Sequence, residues 1–184
     1  MKTIILGTAH LKSTPGKCSP DKKFYEYKYS REVCKEVKIK LESMGYKVFI
    51  DIEDEDLKVT SSAELSLRCR VVNELQKQYK NCIYVSIHVN AAGNGSKWMN
   101  ATGWSAYTSV GITAADKLAE CLYDAAKTNL KGKKLRTDMT DKDSDIESNF
   151  YVLKHTNCPA VLTENFFQDN KEDVEFLTSE AGFH

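Results

Sequence analysis

The chain has 184 residues, 41% hydrophobic and 28% charged, an ordinary globular composition with enough length for one domain around its own core. Lys plus Arg and Asp plus Glu number 26 each, so the formal net charge is zero and no strong field favours nucleic acid or an anionic membrane. No apolar run approaches the ~20 residues of a membrane span, and the cysteines, which form no CxxC pair, read as free thiols rather than a disulfide framework.

The opening residues superficially resemble a signal peptide, but their apolar core is only Ile4 to Leu6, so Lys2 to Leu6 reads as a first strand. Thr8 to Phe24, with Pro15, Gly16 and Pro20, is a loop. Tyr29, Val33, Val37, Leu41 and Met44 recur at helical spacing, which predicts a helix over Tyr25 to Met44 that Gly45 stops. Tyr46 to Ile50 reads as a strand and Asp51 to Thr60 as an acidic connector. A second helix is predicted over Ser61 to Lys80, capped by Ser61 or Ser62, with Glu64 completing a capping box and Leu65, Val72, Leu75 and Tyr79 inward. Ile83 to Ile87 is a strongly apolar strand, as expected for the centre of a parallel sheet.

Ala91 to Ala101 is a Gly- and Asn-rich loop, and Gly103 to Tyr107 a strand. Ile112 to Asn129 predicts a third helix with Leu118, Leu122 and Ala125 inward. The charged stretch Lys131 to Ser148 reads as a solvated loop. Phe150 to Leu153 and Ala160 to Thr163 read as strands, and Asp169 to Leu177 as a short helix. The alternation predicts a single α/β domain: a mostly parallel twisted sheet of about six strands with helices on both faces.

In such a sheet, crossovers are right-handed and each helix starts near the carboxyl edge of the preceding strand. His10, Glu26, His88 and Glu164 each stand at a strand end or a helix start, so all four are expected on that edge, where ligand sites of open α/β sheets lie. Two imidazoles and a carboxylate suit a catalytic zinc with an open position, and a further carboxylate suits a general base. Taken singly, a strand-end His is more often a hydrogen-bonded structural residue and a first-turn Glu usually complements the helix dipole. Geometry leaves both readings open.

The same residues carry a resemblance. Thr8-Ala9-His10, Glu26, Ser86-Ile87-His88-Val89-Asn90 and Pro159-Ala160-Val161-Leu162-Thr163-Glu164 resemble, in order, the motifs of the zinc-dependent N-acetylmuramoyl-L-alanine amidases of the amidase 3 type. Leu65-Ser66-Leu67-Arg68 with Asn73, and Gly103-Trp104-Ser105-Ala106-Tyr107, resemble two further family segments. The chain departs from the pattern at Ala9, where a Gly is usual, at Leu11-Lys12-Ser13, where more glycines are usual, and at Asn165-Phe166-Phe167, where Gly-Phe is usual. These departures bear on the groove walls more than on the ligands.

The resemblance implies a catalytic domain over residues 1–184, ending short of the last helix that relatives often carry. It implies that His10, Glu26 and His88 bind Zn²⁺, that Glu164 is the general base, and that the bond cleaved joins N-acetylmuramic acid to L-alanine of peptidoglycan. Asn90 is expected to point toward the site as a ligand-orienting or substrate-binding residue, or to shape a turn. His155 is expected to line the groove or to be structural. Trp98 and Trp104 are candidates for a glycan groove, with packing favoured for Trp104, and His184 is expected to be disordered. The short 91–101 loop implies an open groove and a constitutively active enzyme, expected to be a monomer. The setting stays open between a phage lysin made in the cytoplasm and a secreted or periplasmic hydrolase. Two other functions compete: another zinc peptidase, such as a carboxypeptidase of cell-wall peptides, which needs an Arg clamp, and a non-catalytic peptidoglycan-binding module.

Overall fold

A computed structural model describes residues 2–140 and 142–183; His184, expected above to be disordered, lies outside them. The elements run β1 (Thr3–Thr8), α1 (Glu26–Ser43), β2 (Lys47–Ile50), α2 (Ser61–Tyr79), β3 (Cys82–Asn90) and β4 (Ser105–Thr108). They continue with α3 (Ala114–Asn129), β5 (Ile146–Glu147), α4 (Tyr151–Lys154), β6 (Ala160–Phe167), α5 (Lys171–Leu177) and α6 (Glu180–Phe183). The strands form one sheet of order β2-β1-β3-β6-β4-β5. All pairings are parallel except β4 with β6. Among the described residues, no helix is long and apolar enough to cross a membrane, and the cysteines are free.

The central strands are apolar on both faces because both are covered. On one face Ile4, Leu6, Val48 and Ile87 pack on Cys34, Val33, Val37 and Leu41 of α1. That face continues through Val89, Ala106 and Val161 to Ala115, Ala119 and Tyr123 of α3 and Leu177 of α5. On the other, Ile5, Tyr84, Ala160 and Leu162 pack on Cys69 and Val72 of α2 and on Val152 and Leu153 of α4.

Several local expectations are corrected. The run 150–153 is not a strand but leads into the single turn α4. Its neighbours Val152 and Leu153 are both buried against one core, whereas a strand would send them to opposite faces. Asn73 of α2 closes this turn, donating to the His155 carbonyl at 2.8 Å and accepting the Asn157 N–H at 2.7 Å. The cap of α2 is Thr60, whose hydroxyl accepts from Ala63 N–H. Glu64 is therefore buried rather than part of a capping box, and Leu65 rolls outward. In α3 Leu118 and Leu122 pack on the core as expected, beside the buried Ala115, Ala119, Tyr123 and Ala126, but Ala125 is exposed; Met44 is likewise exposed. β3 and β6 run further than expected, so His88 and Glu164 lie inside strands rather than at their ends. The charged 131–148 stretch contributes β5 and buries Asp145, which accepts from Thr108 Oγ1.

A buried ionic network ties the carboxyl ends of β1 and β2 to α2. Arg68 Nη1 donates to Asp51 Oδ2 at 2.7 Å and to Thr8 Oγ1 at 3.1 Å, while its Nε and Nη2 donate to Glu64 Oε1 at 3.1 and 2.8 Å. Tyr84 Oη donates to Asp51 Oδ2 at 2.9 Å, and Asp51 Oδ1 accepts the Thr8 N–H at 2.9 Å. Tyr84 reaches Asp51 by crossing β1 at Gly7, where a Cβ would fall 2.3 Å from its hydroxyl. Removing one partner of such a network strands uncompensated charge. Arg68→Ala is expected to lower unfolding free energy by about 3–5 kcal/mol in urea titrations; a loss within about 0.5 kcal/mol, typical of surface sites, would show the network to be dispensable.

Candidate metal centre

Helix α1 delivers most of the site from its first two turns. Glu26 opens the helix, and its N–H donates to the Lys17 carbonyl at 3.1 Å. Its side chain is 1% exposed and reaches over the ends of β1 and β3. Oε1 accepts the Val89 N–H at 3.1 Å and lies 3.1 Å from His88 Nδ1. Oε2 has no hydrogen-bond partner and faces His10 Nε2 at 3.6 Å. The two imidazoles stand edge to face, 5.1 Å between centroids. Donor atoms of His10, Glu26 and His88 all lie within 4.8 Å of one another.

The next turn of α1 braces both histidines. Ser30, four residues after Glu26 and so on the same helix face, is fully buried. Its hydroxyl accepts the Ala9 N–H at 2.8 Å and donates to the Ile87 carbonyl at 2.6 Å. These are the residues immediately before His10 and His88. Arg31 Nη1 donates to the carbonyls of Ala9 and His10 at 3.0 and 2.9 Å, fixing the corner where His10 takes a positive φ of 41°. On the β3 side, Ser86 Oγ lies 3.2 Å from His88 Nε2. Asn165 Nδ2 donates to the His88 carbonyl at 2.9 Å, and Asn165 Oδ1 accepts the Trp104 indole N–H at 2.9 Å.

Glu164 pairs in register with His88 across β3 and β6. It shares with His10 and His88 the wall of a cavity of about 210 Å³. α2 and α4 close the cavity with Leu65, Arg68, Phe150, Tyr151 and Val152. Glu164 Oε2 is buried without a hydrogen-bond partner.

The electrostatics separate these groups. Burial, reinforced by His88 and opposed by Glu26, lowers His10 to about 3, so its ring is neutral, as a metal ligand must be. Burial works to raise the Glu26 carboxyl, but the His88 hydrogen bond and the neighbouring imidazoles hold it below its usual value. Glu164 is pushed well above the carboxylate range by burial and by the negative charge of Glu26, with Lys17 opposing. Two imidazole nitrogens and a carboxylate oxygen that is buried without a hydrogen-bond partner fit a borderline-soft divalent cation such as zinc.

The other candidates fall elsewhere. Asn90 follows a register shift between β3 and β6 and accepts its neighbour Ala91 N–H on Oδ1 at 2.8 Å. His155 is exposed and stacks on Tyr151, 4.1 Å between centroids. Neither lines the cavity. Trp104 is buried edge to face on Tyr123, and Trp98 is partly exposed. Sequence reasoning missed Ser30, Arg31, Lys17 and the Phe150–Tyr151 rim. Only Ser30 had a usable signal, its spacing from Glu26.

A family model described as N-acetylmuramoyl-L-alanine amidase matches residues 4–183. The chain is 31% identical over 102 residues to an endolysin of Bacillus phage SPP1, covering 54% of this chain and 34% of that protein. It is 33% identical over 125 residues to the N-acetylmuramoyl-L-alanine amidase CwlM of Bacillus licheniformis, covering 65% of this chain and 40% of that one. The chain thus spans well under half the length of these two relatives. A solved N-acetylmuramoyl-L-alanine amidase from Clostridium difficile 630 superposes with a TM-score of 0.81 at 23% identity, covering 99% of this chain and 88% of that one, which establishes the shared fold.

Glu164 gives a pH-dependent test. Its folded pKa lies above its unfolded value, so any stability due to the protonated form is lost as pH rises through the folded pKa. Gln cannot ionise. In chelator-treated protein, thermal melts of Glu164→Gln and wild type are therefore expected to diverge in favour of the variant between mildly acidic and mildly alkaline pH. A gap independent of pH would mean that Glu164 is not held in a desolvated, like-charged site.

Proposed function

This chain belongs to the Amidase_3 family of N-acetylmuramoyl-L-alanine amidases, and we propose that it is a zinc-dependent peptidoglycan hydrolase cleaving the amide between N-acetylmuramic acid and L-alanine. The observation that carries the reading is the convergence of His10, Glu26 and His88 around an unpartnered buried oxygen, with a second buried carboxylate in the same cavity.

His10, Glu26 and His88 would hold the ion. Zinc, when bound, polarises the scissile carbonyl and acidifies the attacking water. Glu164 takes the proton of that water and passes it to the departing amine nitrogen, which an unactivated amide needs in order to leave. Its carboxyl, pushed well above the usual carboxylate range by burial and the charge of Glu26, holds a proton more readily than an exposed glutamate, which suits the second transfer. Ser30 and Arg31 hold the backbone at both histidines, so the ligand geometry is set before substrate arrives. All these groups come from one chain, so the chemistry needs no second copy.

A carboxypeptidase reading lacks its forked arginine. Arg68 is committed to Asp51 and Glu64, and Arg136 lies over the Phe167 ring, 5.3 Å from its centroid, and does not line the cavity. A binding-only module gives no reason for a desolvated carboxylate beside the histidines.

Metal analysis should find about one zinc per chain, and chelation should abolish activity that added zinc restores. Mass spectrometry of digested muropeptides should find lactyl-ended glycan and peptides with a free L-alanine amine. Release of a carboxyl-terminal amino acid, or binding with no new amine, would reject the reading. Glu164→Ala should keep its zinc and lose about 10²-fold or more in turnover; full turnover would remove Glu164 from the role of base.

A further inference from the structure

One charged side chain in the cavity wall has no part in this chemistry. Lys17 lines the cavity with His10, His88, Glu64, Arg68 and Glu164. Among the described residues it forms no ion pair: the salt bridges of the cavity wall belong to Arg68 with Glu64 and Asp51, and to Glu26 with the two histidines. Its backbone is fixed. The Lys17 carbonyl accepts the Glu26 N–H at 3.1 Å, and the following residue, Cys18, bridges to Tyr25. The lysine is thus tethered to the residue that opens α1 and is half-buried, near enough for its charge to act on His10, Glu26 and Glu164.

A divalent ion at the proposed centre balances the carboxylates of Glu26 and Glu164. Lys17 is then a surplus cation in a wall whose other uncommitted members, Leu65, Phe150, Tyr151, Val152 and Leu162, are apolar. With both carboxylates taken up by the ion, the half-buried ammonium of Lys17, which forms an ion pair with neither, can receive an anion supplied by the ligand. The scissile amide is neutral, but the stem peptide beyond L-alanine continues through a γ-linked glutamyl residue. Its α-carboxyl group is either free, and anionic, or amidated, and neutral.

Resting on the amidase reading above, we propose that Lys17 is a specificity-determining residue that receives the free α-carboxylate of this second stem residue, so that the site prefers acidic over amidated stem peptides. Lysine suits this role as a point charge on a flexible stem, which one carboxylate can meet without fork geometry.

The test uses two synthetic muramoyl peptides that differ only in that group, acid or carboxamide. Wild type is expected to favour the acid in kcat/KM by roughly 10- to 100-fold, the worth of a charge-assisted hydrogen bond. Lys17→Met should lose that preference by slowing more on the acid than on the amide, with its zinc content unchanged. Lys17→Arg should retain most of the preference. The same ratio should appear in calorimetric binding of the two uncleaved peptides to Glu164→Ala. Equal wild-type rates on both peptides would overturn the assignment of Lys17 and leave the amidase reading intact. So would an equal fall on both in Lys17→Met, which would place Lys17 at the metal centre or Glu164 instead. Cleavage of neither peptide by the zinc-loaded wild type would sink the amidase reading and this proposal with it.

Discussion

The burial of the Glu26 carboxylate is the constraint from which the rest of the site follows. An ionised carboxylate that is 1% exposed is unfavourable unless both oxygens are compensated. The fold compensates one: Oε1 has the Val89 N–H and His88 Nδ1. It leaves Oε2 facing His10 with no donor. The cation proposed between the imidazoles would complete the set, and a water or a neutral side chain would do so less well. The carboxylate sits where it does because α1 begins at Glu26, pinned through the Lys17 carbonyl. Over the next turn Ser30 and Arg31 grip the chain beside His10 and His88. One helix thus supplies one donor of the proposed centre and positions the two others, although the three are dispersed over most of the first half of the sequence.

The second carboxylate differs from the first by environment, not by chemistry. Glu26 collects a backbone N–H and an imidazole, and its pKa falls below the usual range despite burial. Glu164 collects no donor on Oε2, feels the charge of Glu26, and its pKa rises. Two like groups whose environments push their affinities for protons apart are suited to two tasks, one permanently anionic and one that exchanges protons. The Arg68 network lies behind them. It satisfies Asp51 and Glu64 with one guanidinium, so these buried carboxylates do not compete for a cation at the centre.

The architecture was legible in the sequence because apolar runs and helical periodicity report burial directly. Ile83 to Ile87 marked a central strand, and the 25–44 periodicity marked α1. What was not legible depends on tertiary partners. Val152 and Leu153 look like strand residues until Asn73 of α2 closes the turn after them. Leu65 looks inward until Arg68 and Glu64 take the buried stripe in order to pair with Asp51. The positions of His10, Glu26, His88 and Glu164 on one edge could be reasoned from topology. The register shift between β3 and β6 places its extra residue in β6, which no local pattern announces, and Asn90, beside it, turns its amide oxygen to the Ala91 N–H and does not line the cavity. Lys17 was invisible because a lysine in a polar loop carries no periodic signal.

Two departures from the family pattern are absorbed by local contacts. Phe166, within the Asn165-Phe166-Phe167 run where Gly-Phe is usual, has a φ of +63°, a backbone state costing a bulky residue about 1–3 kcal/mol. Its ring is 2% exposed in the core beside α3 and α5, edge to face on Phe176 at 5.2 Å, and burial of such a ring returns a comparable ~1.5–3 kcal/mol. The irregularity that Phe166 occupies also sets Asn165, whose amide holds the His88 carbonyl. Alternation along β6 puts Leu162 and Glu164 on the opposite face, that of α2 and α4. The His10 corner follows the same logic: a positive φ without flanking glycine persists because Arg31 holds the carbonyls of both Ala9 and His10. Strain at these two positions is met by contacts that the ligand atoms do not share. The wall around the centre can therefore change in sequence while the spacing of the donors does not.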